Sequence, residues 1–292
     1  MEIAVGICAY NEECVIEKSI RSIFSQKLTE VRVKEVIVVA SGCTDNTIPI
    51  VQNLQKEFPV LRLIVEEKRA GKNSAINKYL DNKTCDIVAM LNADNVFATE
   101  DSLEQLIIPF KDEHVGITGG RPMPTNDTKD KIGYAVNMMW LMHHNLALIH
   151  PKIGEIIAFR DIGTRLRTDL QSDEDTLRMM LEKAGYVCLY TPKCIVYNRG
   201  PETVEDFKKQ RIRVNVGECT MKELYDYNIP TWSNWLLFRS FMKSIWTLGP
   251  HPVKTIYAVR LERYCRKVAI QHVKEGKDSM SVWDRVDSTK KL

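Results

Sequence analysis

The sequence lacks the features that define several classes of protein. No run of about 18 or more apolar residues occurs, which argues against a transmembrane helix. The eight cysteines form no CxxC pair and show no metal-ligand spacing, so neither a zinc module nor a disulfide scaffold is expected. The first residues enter a strand pattern without the design of a signal peptide. These absences favour a cytoplasmic protein with reduced thiols.

The net charge of +3 is too small to indicate a nucleic-acid partner, and none is expected. The charge is unevenly spread, because residues 239–292 carry twelve Lys or Arg against five Asp or Glu, a net of +7. Residues 1–238 therefore carry −4. A hydrophobic content of 44% and a charged content of 27% are ordinary for a soluble globular protein.

Four short apolar runs alternate with helical periodicity, and each run ends in polar residues. They span residues 3–9, 35–40, 61–65 and 87–91. Their length is too short for good helices and typical of strands buried on both faces. Strand, loop and helix repeated three times predict a parallel, doubly wound sheet. Since such sheets bind ligands beyond the carboxyl ends of their strands, the polar strand ends are the expected site.

The fourth run stops in Asn92-Ala93-Asp94-Asn95. A carboxylate such as Asp94 at a strand end can hold a divalent cation, and the cation can hold a diphosphate. The alternative is that Asp94 and Asn95 only form the Asx turn that ends the strand.

Several motifs occur in one order and at one spacing, and together they resemble family 2 glycosyltransferases, which have the GT-A fold. The likeness covers roughly residues 1–217. It implies an α/β fold with a mostly parallel, Rossmann-like sheet flanked by helices. The segments that carry it are 5–13 (Val-Gly-Ile-Cys-Ala-Tyr-Asn-Glu-Glu), 41–47 (Ser-Gly-Cys-Thr-Asp-Asn-Thr), 69–77 (Arg-Ala-Gly-Lys-Asn-Ser-Ala-Ile-Asn), 92–94 (Asn-Ala-Asp), 172–175, 196–203 and 210–213.

The resemblance implies a nucleotide-sugar donor, UDP- or GDP-linked, held at the strand ends. Ser41 stands where many relatives carry an acidic pair, which leaves the identity of the base open. Arg69 and Lys72 stand where a cation is needed for phosphate or base contact, although a solvated charged loop is the alternative. The donor-binding residues implied are Ala9, Tyr10, Glu12, Ser41, Arg69, Lys72, Asn92 and Asp94.

The family's metal motif has an acidic residue at both ends of a three-residue turn. The first position here is Asn92, which carries no charge, so Asp94 is the one metal ligand predicted. The expected cofactor is Mn²⁺ or Mg²⁺, bound mostly through donor phosphates and water. Asn198 stands where some relatives complete the metal shell with a histidine.

An acidic segment follows at Ser172-Asp173-Glu174-Asp175. As local structure it is a capping box, with Ser172 as the cap and acids facing the helix dipole. The resemblance implies that one carboxylate is the catalytic base, which takes the proton from the acceptor hydroxyl. The sequence does not separate Asp173, Glu174 and Asp175.

Gln210 and Arg213 resemble the Gln-x-x-Arg-Trp motif that lines the acceptor and diphosphate side in the family. Val214 replaces the tryptophan, so synthesis of a polymer is not implied. The alternative is the charged face of a surface helix.

Residues 225–292 are predicted to form a helical extension after a catalytic domain of residues 1–224. Tryptophans at 232, 235 and 246 alternate with cations. This extension is either a subdomain packed on the core or a module that lies on the membrane surface, and a homo-oligomer contact is also open. Its predicted apolar helix face consists of Val253, Ile256, Tyr257, Leu261, Tyr264, Cys265 and Val268.

The sequence thus predicts an inverting, metal-dependent glycosyltransferase that acts on a hydroxyl of a saccharide or lipid-linked acceptor. The expected location is cytoplasmic, with peripheral contact to the inner face of the membrane. One alternative is a sugar nucleotidyltransferase, but that class opens with a basic Gly-rich loop where residues 9–13 here are acidic. The other is a non-catalytic protein that binds nucleotide sugars, which the neutral Asn92 and Val214 would suit.

Overall fold

The structure, a computed structural model, describes residues 1–170, 172–227, 231, 233–276, 286–290 and 292, with the side chain of Asp287 excepted. Within these residues eight strands form one sheet. The strands are β1 (Glu2–Ala9), β2 (Arg32–Ser41), β3 (Leu61–Glu66), β4 (Ile87–Leu91), β5 (Val96–Phe97), β6 (Val115–Pro124), β7 (Ile156–Arg160) and β8 (Val187–Asn198).

The strand order is β3-β2-β1-β4-β7-β6-β8-β5. The first four strands pair in parallel, with β1 between β2 and β4, as the repeated strand–loop–helix pattern predicts. Strand β7 runs antiparallel to both β4 and β6, whereas β8 is parallel to β6 and antiparallel to β5. The predicted mostly parallel α/β sheet is confirmed, and its second half is mixed.

Helices cover both faces of the sheet because side chains alternate along the strands. The described helices are α1 (Ile16–Phe24), α2 (Thr47–Leu54), α3 (Lys72–Asn82), α4 (Ser102–Ile107), α5 (Lys131–Ala147), α6 (Asp173–Lys183), α7 (Val204–Tyr225), α8 (Asn234–Leu248) and α9 (Pro252–Lys274). In β1, Ile3, Val5 and Ile7 pack with α1, α2 and α4, whereas Ala4 packs with α3 and α6.

Helices α5, α7 and α9 form a separate apolar cluster beside the sheet. The buried stripe of α9 includes Ala258, Leu261 and Cys265. The predicted apolar face is therefore wrong in part, since Val253, Ile256 and Tyr264 are exposed. Helix α9 contacts α5 and α7 through a stripe of mostly small side chains, and these permit close packing against α7. The domain boundary at residue 224 stays a prediction.

All eight cysteines are free thiols, as predicted, and five of them are buried. Of the helices that the structure describes, none combines the length and the apolar character needed to cross a bilayer.

Gly6 allows β1 to pass against the buried ring of Tyr79 on α3. A Cβ atom at Gly6 would lie 2.6 Å from Tyr79 Cε1. We expect Gly6→Ala to lower the free energy of unfolding by about 1–3 kcal/mol, because a closely packed core cannot absorb the extra methyl group. Urea unfolding measures this change.

Gly154→Ala is the matched control, since no atom lies within 4 Å of the added Cβ there. Both variants lose the same conformational freedom in the unfolded chain. Equal stability of the two variants would contradict the steric role of Gly6.

Candidate active site

A cleft of about 180 Å³ opens at the carboxyl ends of β1, β2 and β4. These ends meet because the three strands are adjacent and parallel. The cleft brings together every residue predicted on the donor side and on the acceptor and diphosphate side: Ala9, Tyr10, Glu12, Ser41, Arg69, Lys72, Asn92, Asp94, Gln210 and Arg213.

One wall of the cleft is a flat platform of an arginine on an aromatic ring. The guanidinium carbon of Arg69 lies 3.8 Å from the centre of the Tyr10 ring. Gly42 makes this approach possible: its φ is +65°, and a Cβ there would lie 2.6 Å from the backbone nitrogen of Arg69. Both groups offer planar surfaces and Arg69 adds positive charge, a combination suited to a nucleobase or a phosphate.

The turn after β4 is held by a residue that sequence reasoning missed, Glu155. Its Oε2 accepts a hydrogen bond from the side-chain amide of Asn92 at 2.7 Å and another from that of Asn95 at 3.1 Å. These two bonds fix the turn that carries Asp94. Asn92 thus donates a hydrogen bond to the Glu155 carboxylate. Its neutral side chain helps to hold the turn, at a position where the family has an acid.

Glu155 has a left-handed backbone, with φ of +65°. Strained residues of this kind cluster at functional sites, where the surrounding contacts hold them in place. Burial, together with the nearby charge of Asp94, raises the pKa of Glu155. In the sequence the only signal is an acidic residue after Gly154 and directly before a buried strand, which is too common to indicate a site.

Lys72 at the start of α3 joins the cleft to the acidic segment at the start of α6. Its Nζ lies 2.6 Å from Asp173 Oδ2 and 3.4 Å from Glu174 Oε1. Burial and the charge of Glu174 raise the pKa of Asp173 to about 7. Burial opposes ionisation of Glu174 as well, but the charge of Lys72 leaves its pKa below the ordinary value.

Asp175, the third acid, points away from Lys72. It lies with Glu174 on the wall of a second cavity of about 510 Å³, whose wall also includes Gln210. Its Oδ1 is buried and has no hydrogen-bond partner within the described part of the chain. Burial raises the pKa of Asp175 to about 6. A carboxylate with a free oxygen and a pKa near neutrality has the properties of a general base.

The capping box predicted for this segment is wrong in one respect. Ser172 is the residue before α6, but its hydroxyl makes no capping hydrogen bond. The hydroxyl instead packs against Gly217 of α7, where a Cβ would lie 2.4 Å from Ser172 Oγ. The carboxylates of Asp173 and Glu174 are therefore held by Lys72, and the start of α6 packs on α7.

A second feature that the sequence did not predict is a short segment at residues 286–290, whose Val286, Thr289 and Lys290 line the cleft. Lys290 Nζ lies 2.8 Å from Asp94 Oδ2 and 2.6 Å from Glu12 Oε1. Burial opposes ionisation of Asp94, but the charge of Lys290 lowers its pKa. Charged residues near this end of the sequence are numerous, so nothing in the pattern distinguishes Lys290.

The cleft fits a divalent cation only if most of the metal ligands come from the donor phosphates and from water. Among the described residues no group of three or more His, Cys, Asp or Glu side chains could hold a metal ion. Asp94 offers a hard carboxylate oxygen, the type that Mn²⁺ and Mg²⁺ prefer. The ammonium of Lys290 already sits on this oxygen as a cation, which indicates that the position favours positive charge.

Comparison with known proteins agrees with this geometry. The sequence model of the family described as "Glycosyl transferase family 2" matches residues 4–166, more than half of the chain. Poly-beta-1,6-N-acetyl-D-glucosamine synthase of Staphylococcus aureus is 25% identical over 221 residues, which are 71% of this chain and 52% of that protein. The Staphylococcus epidermidis enzyme of the same name is 26% identical over 220 residues. The chain thus spans about half the length of these relatives.

Solved structures share the fold. A mannosyltransferase from Pyrobaculum calidifontis, in complex with GDP-Man and Mn²⁺, has a TM-score of 0.62 at 21% identity, covering 96% of this chain and 85% of that one. Glucosyl-3-phosphoglycerate synthase from Mycobacterium tuberculosis, in complex with Mn²⁺, UDP and glucosyl-3-phosphoglycerate, has a TM-score of 0.52 at 18% identity and covers 75% and 78%. The fold and the family predicted from the sequence are confirmed: the chain has the GT-A fold and belongs to glycosyl transferase family 2.

Proposed function

We propose that the protein transfers a sugar from a UDP- or GDP-linked donor to an acceptor hydroxyl, in one displacement that inverts the anomeric centre and depends on a divalent metal. The observation that carries the proposal is the joining of two clefts by Lys72. On one side lie the Arg69–Tyr10 platform and Asp94. On the other side the carboxylates of Glu174 and Asp175 face a cavity.

The acceptor hydroxyl would bind beside Asp175 at the inner end of the second cavity. Asp175 takes the hydroxyl proton while the oxygen attacks the anomeric carbon, and the bond between this carbon and the diphosphate oxygen breaks. The sugar is thereby joined to the acceptor, and the nucleoside diphosphate leaves with the bonding electrons. Asp173 is less suited to this role, because its carboxylate is tied to Lys72.

The departing diphosphate gains negative charge, and positive charge beside it lowers the barrier. Arg69, Lys72 and Arg213 line the donor cleft and supply part of this charge. Asp94 would hold Mn²⁺ or Mg²⁺, which when bound neutralises charge on the diphosphate. The neighbours solved with Mn²⁺ support this assignment.

The metal assignment predicts that Asp94→Asn abolishes Mn²⁺-dependent binding of UDP or GDP and leaves the fold intact. The amide keeps the shape of the turn, which tolerates Asn, but loses the charge that binds the cation. Calorimetry with and without Mn²⁺ measures the loss, and circular dichroism checks the fold. Asp81→Asn, which changes an exposed acid on α3, is the control. Unchanged Mn²⁺-dependent affinity would contradict the assignment.

The base assignment predicts the order of three variants. Asp175→Asn should keep donor binding and lower kcat by roughly 10²–10⁴-fold, the usual range for loss of a general base. Glu174→Gln and Asp173→Asn should lose less. Because the base must be ionised, kcat of the wild type should fall as the pH drops through about 6, the pKa of Asp175.

Steady-state kinetics from roughly one pH unit below that pKa to about two units above it gives both results. If all three variants turn over like the wild type, the acidic segment is only a helix start. A larger loss in Glu174→Gln than in Asp175→Asn would move the role of the base to Glu174.

The second cavity favours an acceptor with an apolar part. Its volume of about 510 Å³ is in the range of sites for small organic ligands. Glu174, Asp175 and Gln210 line this cavity with other charged side chains, but most of its lining surface is thioether, aromatic and aliphatic. We therefore favour a lipid-linked acceptor over a free saccharide. Apolar residues of the wall include Met138, Met139, Trp140, Met142, Phe207 and Phe241.

Helix α8 buries small polar side chains and exposes large apolar ones, an arrangement that supports contact with a membrane surface. Its buried residues are Ser240 and Ser244, and Ser244 Oγ accepts a hydrogen bond from Asn145 of α5 at 3.0 Å. Its solvent face carries Trp235 and Trp246, which are 69% and 90% exposed, with Phe238 and Met242. The cations Arg239 and Lys243 are exposed next to them. Trp232, the third tryptophan of the prediction, lies outside the described residues.

Exposed aromatic side chains interleaved with cations are typical of helices that lie in the lipid headgroup layer. We expect the protein to pellet with anionic vesicles at low salt and to be released at high salt, because each Lys or Arg near such a surface adds about 1 kcal/mol. Replacing both Trp235 and Trp246 by Ser should weaken binding.

Val60→Ser is a control for the loss of an exposed apolar side chain, since Val60 lies between α2 and β3 and not on α8. No pelleting at low salt would leave α8 as a contact for another protein or a second copy of this chain.

A further inference from the structure

The donor cleft contains a cation supplied by the chain itself. Lys290 Nζ contacts Asp94 at 2.8 Å and Glu12 at 2.6 Å, and the Lys290 side chain is only 15% exposed. Ion pairs shielded from water in this way are screened far less than surface pairs. The ammonium therefore offsets part of the negative charge of these two acidic side chains of the predicted donor site.

Segment 286–290 is anchored to the rest of the protein by hydrogen bonds and by buried side chains. The Ser288 hydroxyl donates to Asp206 Oδ2 at 2.5 Å and accepts from the backbone N–H of Glu202 at 3.2 Å. Both partners lie at the start of α7. Val286 and Thr289 are buried, and the Thr289 hydroxyl donates to the carbonyl of Val286 at 2.9 Å. The segment is thus a compact turn fixed across the mouth of the cleft.

The segment also limits the room for a donor. The cleft has a volume of about 180 Å³, whereas clefts that bind small organic ligands have roughly 300–1,000 Å³. A nucleotide sugar lies within that class of ligand. Three of the side chains that line the cleft, those of Val286, Thr289 and Lys290, belong to the segment. The segment therefore takes up room in the cleft that a bound donor would use.

We propose that Lys290 is a further functional residue of the donor site, an internal cation that holds the position of the divalent metal on Asp94 until metal and nucleotide displace segment 286–290. The inference rests on the proposed metal site at Asp94. Lys290 and a metal ion would use the same carboxylate, and two cations a few ångströms apart repel each other strongly in a partly buried site. The closed segment and the metal-loaded site are therefore alternatives.

This competition keeps free metal off Asp94 while no donor is present. A nucleoside diphosphate favours the open form, because its phosphates supply metal ligands that the described residues do not offer in a group of three or more. Metal and nucleotide should consequently bind together, each weakly without the other.

The test measures binding and not only turnover. Mn²⁺ binding is followed by electron paramagnetic resonance in the presence of UDP or GDP, for the wild type, for Lys290→Ala and for Lys274→Ala. Lys274 is an exposed lysine at the end of α9 and serves as the charge-matched control. Lys290→Ala should bind Mn²⁺ about tenfold more tightly, in the range expected for loss of a competing charge-assisted contact. Lys274→Ala should match the wild type.

Ser288→Ala, which removes the anchor to α7 and keeps Lys290, should show a smaller gain in the same direction. Hydrogen exchange at residues 286–290 of the wild type should increase when Mn²⁺ and the nucleotide are added together. Weaker Mn²⁺ binding by Lys290→Ala would overturn the proposal, because Lys290 would then be a ligand of the donor. Equal binding by all variants would overturn it too, and absence of Mn²⁺ binding in every protein would contradict the metal site itself.

Discussion

The pairing of Lys72 with Asp173 and Glu174 is the interaction on which the active site depends. It connects α3, which lies between β3 and β4 in the chain, to α6, whose first turn carries the acids. Without this cation two carboxylates would be buried side by side, and a buried charge with no partner is strongly destabilising. One lysine thus ties the cleft at the strand ends to the acidic segment that reaches the second cavity.

The donor half of the site could be predicted because its chemistry coincides with local sequence signals. Short apolar runs mark buried strands, and parallel strands bring their polar ends together. Tyr10, Ser41 and Asp94, separated by tens of residues in the chain, line one cleft for this reason. The resemblance to the family singled out these residues, and the shared edge of the parallel strands explains why they meet in one cleft.

The remainder of the site depends on contacts that no local pattern encodes. Glu155 reaches Asn92 and Asn95 from the position directly before β7, and β7 pairs with β4 in antiparallel register, an arrangement that apolar periodicity does not reveal. Lys290 enters the cleft from nearly 200 residues beyond Asp94 in the chain. For α9 the periodicity predicted a helix, but the buried stripe was decided by its small side chains and by the neighbouring helices.

The two halves of the sheet are also synthesised at different times, because they come from different parts of the chain. All four strands of the donor half, β3-β2-β1-β4, lie within residues 2–91. The other half needs β8, because β5 and β6 both pair with this late strand. Chains fold progressively as they leave the ribosome, and pairings distant in sequence form late. A nascent chain can therefore complete the half of the sheet that carries Tyr10, Ser41 and Asp94 while the edge of β4 that β7 will cover is still open, which makes this edge the point where misassembly would begin.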